Sequence, residues 1–378
     1  MKKILFRKIL IDCFNFFLIT LISASVIIWV FQAVNYLDIM IEDGRSFFVY
    51  TSYTLLNLPK IISKIFPFAL FFSFFFILNK YELRNELLIF WTLGINKIEF
   101  VKFFVAISFL IVFLQITLTT LIVPMSQSYA RTLIKTSNID FFESFIKPKR
   151  FNDTINNLTI YADEKDKDGV LKNIYLKKST THDNFQITYA KKGFFKNING
   201  NNILVLYDGE TINVENKNII NFKFSESDFG LNNFKTNTTT QFKIQETNTL
   251  NLFKCVKDLS KEKKEFLYEN CSIKNLDNMY VEIFKRLLIP FYIPILVLIS
   301  LFSIIKSKEN KDYTKLKILI FLLGILIIIF SETSLRFIEN DIFKNIKIIF
   351  IPFIFFLIFY FYLLIKFSTH QRLTFNKK

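Results

Sequence analysis

Apolar residues gather along this chain in six long runs, three on each side of a polar centre. The runs lie at about 14–36, 58–78 and 100–123, then at 279–305, 316–335 and 346–367. Each meets the roughly 20 residues a helix needs to cross a bilayer. Pro59 and Pro67 fall in the outer half of the second run, and Pro124 closes the third. Between the two sets the pattern changes. LTIYADE (158–164), VLKNIYLKK (170–178), FQITYAKK (185–192), NILVLYDGE (202–210) and TINVEN (211–216) are short and rich in Ile, Val and Tyr. The dipeptides Asp168-Gly169, Asn199-Gly200 and Asp208-Gly209 read as turns between them. This pattern predicts a small antiparallel β domain closed as a sandwich or jelly roll. Residues 125–145 and 250–277 read as weakly amphipathic arms. The predicted fold is a polytopic α-helical membrane protein: six transmembrane helices with an inserted antiparallel β domain, divided as 1–124, 125–277 and 278–378.

The connector 79–102 is too charged to cross a bilayer and too apolar for an ordinary loop. As a helix over about 80–94 it puts Glu86, Ile89, Phe90 and Leu93 on one face. Asn79 with Glu82 would cap its start, and Gly94 would end it in a left-handed conformation. Two readings stay open: a helix lying in the headgroups, or a docking surface for a second protein.

Composition supports the membrane assignment. Of 378 residues, 52% are hydrophobic and 49 are Phe, too much apolar surface for a soluble domain. The net charge of +16 collects beside the apolar runs. Lys2, Lys3, Arg7 and Lys8 precede the first, Lys306, Lys308, Lys311, Lys315 and Lys317 follow the fourth, and Lys366, Arg372, Lys377 and Lys378 close the chain. By the positive-inside rule both termini, the connector 79–102 and the 306–317 loop face the cytoplasm, and the β domain faces outward. The charge therefore does not argue for nucleic acid. The first run has no small-residue cleavage pattern after it and is expected to stay as a span.

Catalytic chemistry is absent from the pattern. No Gly-x-x-x-x-Gly-Lys phosphate loop occurs, so no bound cofactor is expected and any ATP would be used by a partner. His182 and His370 fall in a turn and a basic tail, and no metal site is expected. Cys255 and Cys271 lie near the return to the membrane, either bonded or as independent thiols. Glu282 with Arg286, and Glu332 with Arg336, are spaced i, i+4 at span ends. They form either surface pairs or the lining of a polar chamber.

The assembled pattern resembles the lipopolysaccharide export permeases, the LptF/LptG family. The β domain sits between the third and fourth of six spans. Arg84-Asn-Glu86-Leu87 leads to Gly94-Ile95-Asn96 at the family's spacing, and Glu282-Ile-Phe-Lys285-Arg286 matches its fourth-span start. LTIYADEKDKDGVLKNIYLKK, GNNILVLYDGETINV and SETSLRF lean toward the F-type subunit. The resemblance implies an inner-membrane permease half of an ATP-driven ABC transporter, paired with an LptG-like subunit. It implies an LptB-like ATPase dimer docked on Arg84, Glu86, Ile89, Phe90, Leu93 and Gly94. It also implies a periplasmic β jelly roll joined to an LptC/LptA-like bridge, and a lipopolysaccharide cavity reached by Gln32, Asn35, Glu282, Arg286, Glu332 and Arg336. Two departures stand out. Ile89, Trp91, Thr92 and Leu93 occupy a stretch that is Ala-containing in the family, and Gln32, Ala33, Asn35 and Asp38 stand where some members carry basic residues. The alternatives are a lipoprotein-releasing or efflux-type permease, which would carry its outward domain after the first span, and a non-transporting membrane scaffold.

Overall fold

The computed structural model describes residues 2–37, 46–136, 146, 148–155, 157–166, 169–179, 184–198, 201–215, 218–230, 243–260, 271–272, 275–339 and 342–375. Six helices are long and apolar enough to span: Lys2–Asn35, Phe47–Leu83, Lys97–Lys135, Leu276–Ile304, Tyr313–Phe337 and Asn345–Ser368. The chain divides into two compact units. One comprises Met1–Val30, Asn57–Ser128 and Phe242–Lys378, the other Phe31–Leu56 and Tyr129–Gln241.

In the first unit the fourth span is the hub. Its inner half, Ile293–Leu301, is apolar all round and buried at every position, as expected for a helix with no lipid-facing or aqueous side. The second, third, fifth and sixth spans pack around it. Pro290 interrupts it with a 3-10 turn at Ile289–Tyr292. Where the second and fifth spans meet, an ideal Cβ on Gly324 would lie 2.0 Å from Phe71 Cζ. Phe71 is fully buried and stacks on Phe75 and Phe321, so its ring has no room to swing aside. Gly324→Ala is therefore expected to lower the midpoint of thermal unfolding in detergent, with a cost of about 1–3 kcal/mol from overpacking. Adding Phe71→Leu should restore most of the loss. A single variant as stable as the parent would show that the spans separate freely here.

The first span shows how narrow a buried stripe can be. Phe6, Ile9, Cys13, Phe17, Leu21 and Ser25 are buried at steps of three and four, while Ile19, Ile22 and Ile27 stay exposed. Exposed aliphatics at this depth suit lipid or a second membrane helix. Two polar contacts fix the stripe. The Tyr81 hydroxyl donates to Asp12 Oδ2, and Ser73 Oγ donates to the Cys13 carbonyl at 2.7 Å. Asp12, just ahead of the first apolar run, thus has a donor for its part-buried carboxylate.

The expected stop at Pro124 does not occur. A π-helical turn at Leu118–Ile122 interrupts the third span, and a new helical segment, Val123–Thr136, starts with Pro124 in its first turn. There the missing N–H of proline costs nothing. A further helix, Phe47–Leu56, precedes the apolar run of the second span.

In the second unit six strands form one antiparallel meander in the order β1 to β6. They are β1 Phe151–Ile155, β2 Leu158–Lys165, β3 Leu171–Ser179, β4 Phe185–Ile198, β5 Asn201–Glu215 and β6 Asn218–Gly230. Every neighbour in space is a neighbour in sequence. Among the described residues the sheet therefore lacks the crossover connections of a jelly roll, and the antiparallel β expectation holds only at that coarser level. Asp208-Gly209 is not a turn. The pair lies inside β5, with Asp208 at φ 49°. Gly209 is so close beneath the Tyr189 carbonyl and the Phe224 ring that no Cβ fits. The turns at Asp168 and at Asn199-Gly200 lie outside the described residues, as does His182. Leu158, Ile160, Ala162, Leu171, Ile174, Leu176, Leu204 and Leu206 form the core of this unit.

Candidate coupling site and outer arm

The connector 79–102 does not fold as one helix. The second span continues to Leu83, and Asn79 lies inside it. Instead of capping with Glu82, Asn79 Nδ2 donates to the Phe75 carbonyl and its Oδ1 accepts from the Tyr313 hydroxyl at 3.0 Å. Glu82 Oε1 accepts from the backbone N–H of Lys308 at 3.1 Å. Asn85, at φ 60°, then turns the chain into a seven-residue helix, Glu86–Thr92. That helix ends as Gly94 predicts. Gly94 has φ +76°, its N–H donates to the Trp91 carbonyl at 3.1 Å, and the Ile95 N–H reaches back to the Phe90 carbonyl at 3.0 Å. These are the two bonds of a Schellman motif, and the usual apolar contact accompanies them as Ile95 and Phe90, both buried. Gly94→Ala places a side chain in the left-handed region with no clash to complicate it. It is expected to destabilise by about 1 kcal/mol, read as a small fall in unfolding midpoint, and Gly94→Asn should be milder.

The helix has two faces. Leu87 and Phe90 are buried, and Trp91 turns inward, edge-on to Phe100 at 5.7 Å. Leu88, Ile89 and Leu93 are exposed. The face expected to carry Glu86, Ile89, Phe90 and Leu93 together is therefore split: Phe90 is an anchor, and Leu88 takes its place at the surface. Glu86 is half-buried, with its carboxylate 4.0 Å from the exposed Arg84 guanidinium. Lys97 Nζ donates to the Ile304 carbonyl at 3.1 Å and sits 5.5 Å from the Trp91 ring. Leu88, Trp91, Lys97, Ile304 and Lys308 share the lining of a cleft of about 180 Å³ between the helix and the end of the fourth span.

At the opposite end of the fourth span, Arg286 is buried and each of its three guanidinium nitrogens has a partner. Its Nε donates to Glu282 Oε1 at 3.0 Å, one terminal nitrogen to the Thr247 carbonyl and Thr249 Oγ1, and the other to the Gln245 carbonyl. These acceptors lie on the arm that follows the sheet, a 3-10 turn at Ile244–Glu246 and a helix at Thr249–Ser260. Thr249 Oγ1 in turn donates to the Thr120 carbonyl at 2.7 Å, inside the π-helical turn of the third span. Thr119 Oγ1 of that turn donates to the Arg286 carbonyl at 3.0 Å. One guanidinium thus joins the arm to two spans, which explains why 242–277 clusters with the spans rather than with the sheet. Sequence spacing signalled the Glu282–Arg286 pair but gave no sign of its two backbone partners or of the Thr249 hydroxyl.

The remaining candidates are dispersed. Cys255 and Cys271 are joined by a disulfide that fastens the arm near the start of the fourth span. Glu332 and Arg336 are both exposed, and among the described residues no ion pair joins them. The helix tightens into a 3-10 turn at Leu335–Phe337, which breaks the i, i+4 geometry. Gln32 is half-buried and Asn35 exposed at the end of the first helix, in the second unit. Asp38 lies outside the described residues.

Comparison with known proteins bears on the whole chain. The family model described as lipopolysaccharide export system permease LptF/LptG matches residues 7–366. The chain belongs to the LptF/LptG family. An uncharacterized protein of Rickettsia prowazekii (strain Madrid E), RP871, is 22% identical over 351 residues, covering 92% of this chain and 94% of its own length. As an LptF/LptG member the chain is a lipopolysaccharide export permease, a multi-pass inner-membrane protein and a transporter rather than an enzyme. Membership also makes it a component of a lipopolysaccharide transport complex.

Proposed function

We infer that this chain is one permease half of an ATP-driven ABC exporter, paired with a second permease of the same family. A cytoplasmic ATPase dimer docks on the helix Glu86–Thr92. The observation that carries this is the division of labour in that helix. Leu87, Phe90 and Trp91 root it in the spans, while Leu88, Ile89 and Leu93 form an apolar rim beside the Glu86 carboxylate. A helix that only rested in the headgroups would have no need of such rooting. Lysines at 306–317 and at both termini support a cytoplasmic position for this end of the spans and for both termini, with the sheet in the periplasm. The chain itself binds no cofactor; ATP belongs to the partner. The sheet continues into a periplasmic bridge of like domains. Lipopolysaccharide drawn from the outer leaflet passes between the spans and up to that bridge.

Mechanically, the short helix converts closure of the ATPase dimer into movement of the second and third spans, which flank it in sequence. The fourth span, packed against both, carries that movement to Arg286 and so to the arm. The deciding experiment is isolation in mild detergent. An ATPase and a second permease of similar size are expected to elute with this chain. Elution alone, with lipopolysaccharide export intact in cells lacking any such ATPase, would overturn the reading.

A further inference from the structure

One row of side chains crosses the whole sheet. Phe151, Tyr161, Tyr175, Tyr189, Glu210 and Lys223 are paired in register from β1 to β6. The first four are aromatic. Phe151 and Tyr161 have ring centroids 5.0 Å apart, Tyr175 and Tyr189 5.2 Å, and Phe151 and Tyr175 6.2 Å. With strands spaced about 4.8 Å apart, four rings make a continuous band about 14 Å long. Cross-strand aromatic pairs ordinarily stabilise a sheet by covering one another. Here Phe151 is 66% and Tyr189 45% exposed, although the apolar core of the same sheet is complete without them. The band forms part of an open depression of about 870 Å³ whose other side chains include Asn173, Lys191 and Asp208.

The chemistry of that depression selects among ligands. Lys191 and Lys223 balance Asp208 and Glu210, so the charge is zero in a chain whose net charge is +16. An anionic headgroup or nucleic acid would gain nothing there. An acyl chain would bury four charges, a cost of several kcal/mol. A sugar chain fits both features. The electron-rich faces of the rings meet the C–H face of a pyranose, and the amide, carboxylates and ammonium groups at the rim exchange hydrogen bonds with its hydroxyls. Burial and the neighbouring Tyr189 push the Tyr175 phenol up, so it keeps its proton and remains a donor.

We propose that this aromatic row is a platform for the neutral oligosaccharide of the exported glycolipid, holding the sugar part while the lipid part travels elsewhere. The proposal rests on the lipopolysaccharide-export reading above. The test uses the full-length chain in detergent, titrated with a neutral, lipid-free oligosaccharide cut from the outer sugar chain of lipopolysaccharide and, separately, with intact lipopolysaccharide. Binding is followed by saturation-transfer NMR and calorimetry. The oligosaccharide is expected to bind, with signals strongest on ring C–H protons. Tyr175→Ser/Tyr189→Ser should weaken it at least tenfold. Phe151→Ser, at an exposed edge-strand position, should weaken it several-fold while lowering the unfolding midpoint only slightly, by the loss of one cross-strand aromatic pair. If intact lipopolysaccharide binds but the oligosaccharide does not, the platform is refuted while the export reading stands. If neither binds, the platform fails, and the export reading is decided by the co-elution experiment above. Oligosaccharide binding unaltered in both variants, or a self-association that Phe151→Ser abolishes, would also overturn the platform, the latter in favour of a second copy.

Discussion

Arg286→Leu should release the arm from the spans and abolish export. The arginine is 3% and its partner Glu282 13% exposed, so removing the cation strands a carboxylate in a nearly dry site. It also strands the Thr247 and Gln245 carbonyls, which lose their donors at once. Breaking a buried pair by removing one member costs about 3–5 kcal/mol. Arg286→Lys should recover little, because a single ammonium cannot reach a carboxylate on one side and two carbonyls on the other, as a planar fork does. The disulfide between Cys255 and Cys271 closes a loop with a sequence separation of 16 and remains as a tether. By the chain-entropy account that closure is worth about 3 kcal/mol. Reductant should therefore deepen the defect of Arg286→Leu more than it affects the parent. Limited proteolysis within 243–260, read beside the unfolding midpoint, separates arm release from global unfolding. Thr249→Val, which loses only one acceptor and one donor, should show the same cleavage at lower extent. Resistance equal to the parent in both variants would mean that the arm is held by other contacts.

The contrast between what was legible in the sequence and what was not follows the range of the interactions. Six spans and an insert with short Ile- and Tyr-rich segments could be read because lipid and the pleated sheet impose repeating demands on composition. Gly94 could be read because the positive φ of a helix end is a local requirement, met here with its two backbone bonds. The start of that helix could not. Asn79 and Glu82 have a capping spacing, but Tyr313 and Lys308 supply longer-range partners that keep the second span helical through Leu83. Phe90 and Leu88 exchanged roles for a similar reason: helical periodicity defines a face, and only the neighbouring Phe6 and Phe100 decide which way it points. Asp208-Gly209 has turn chemistry, but in β5 it relieves crowding under Tyr189 and Phe224. Two of the four partners of Arg286 are backbone carbonyls some 40 residues away, and a carbonyl leaves no trace in a sequence.

Glu86→Arg is expected to abolish transport-coupled ATPase activity in the reconstituted complex while leaving this chain folded. Both halves follow from where the carboxylate sits. Its nearest cation, Arg84, is 4.0 Å away with a side chain that is 62% exposed. A surface pair of that kind contributes about 0–1 kcal/mol, so losing it changes stability little. The helix is held by Leu87 and Phe90 below and by the Gly94–Ile95 turn at its end, none of which touches the charge. Reversal would instead place two guanidinium groups beside the rim of Leu88, Ile89 and Leu93, the proposed seat of the ATPase. A like-charge contact or an unpaired buried cation at the centre of an interface costs several kcal/mol, enough to lower affinity by two orders of magnitude or more. Glu86→Gln keeps the shape without the charge and should fall between parent and reversal. Leu88→Ala and Ile89→Ala should weaken docking without altering its salt dependence, whereas Glu86→Gln should flatten that dependence. Measured together, ATPase rate, co-elution and unfolding midpoint discriminate the cases. Uncoupling with an unchanged midpoint assigns Glu86 to docking, and coupling preserved in Glu86→Arg would remove the helix Glu86–Thr92 from the transmission path altogether.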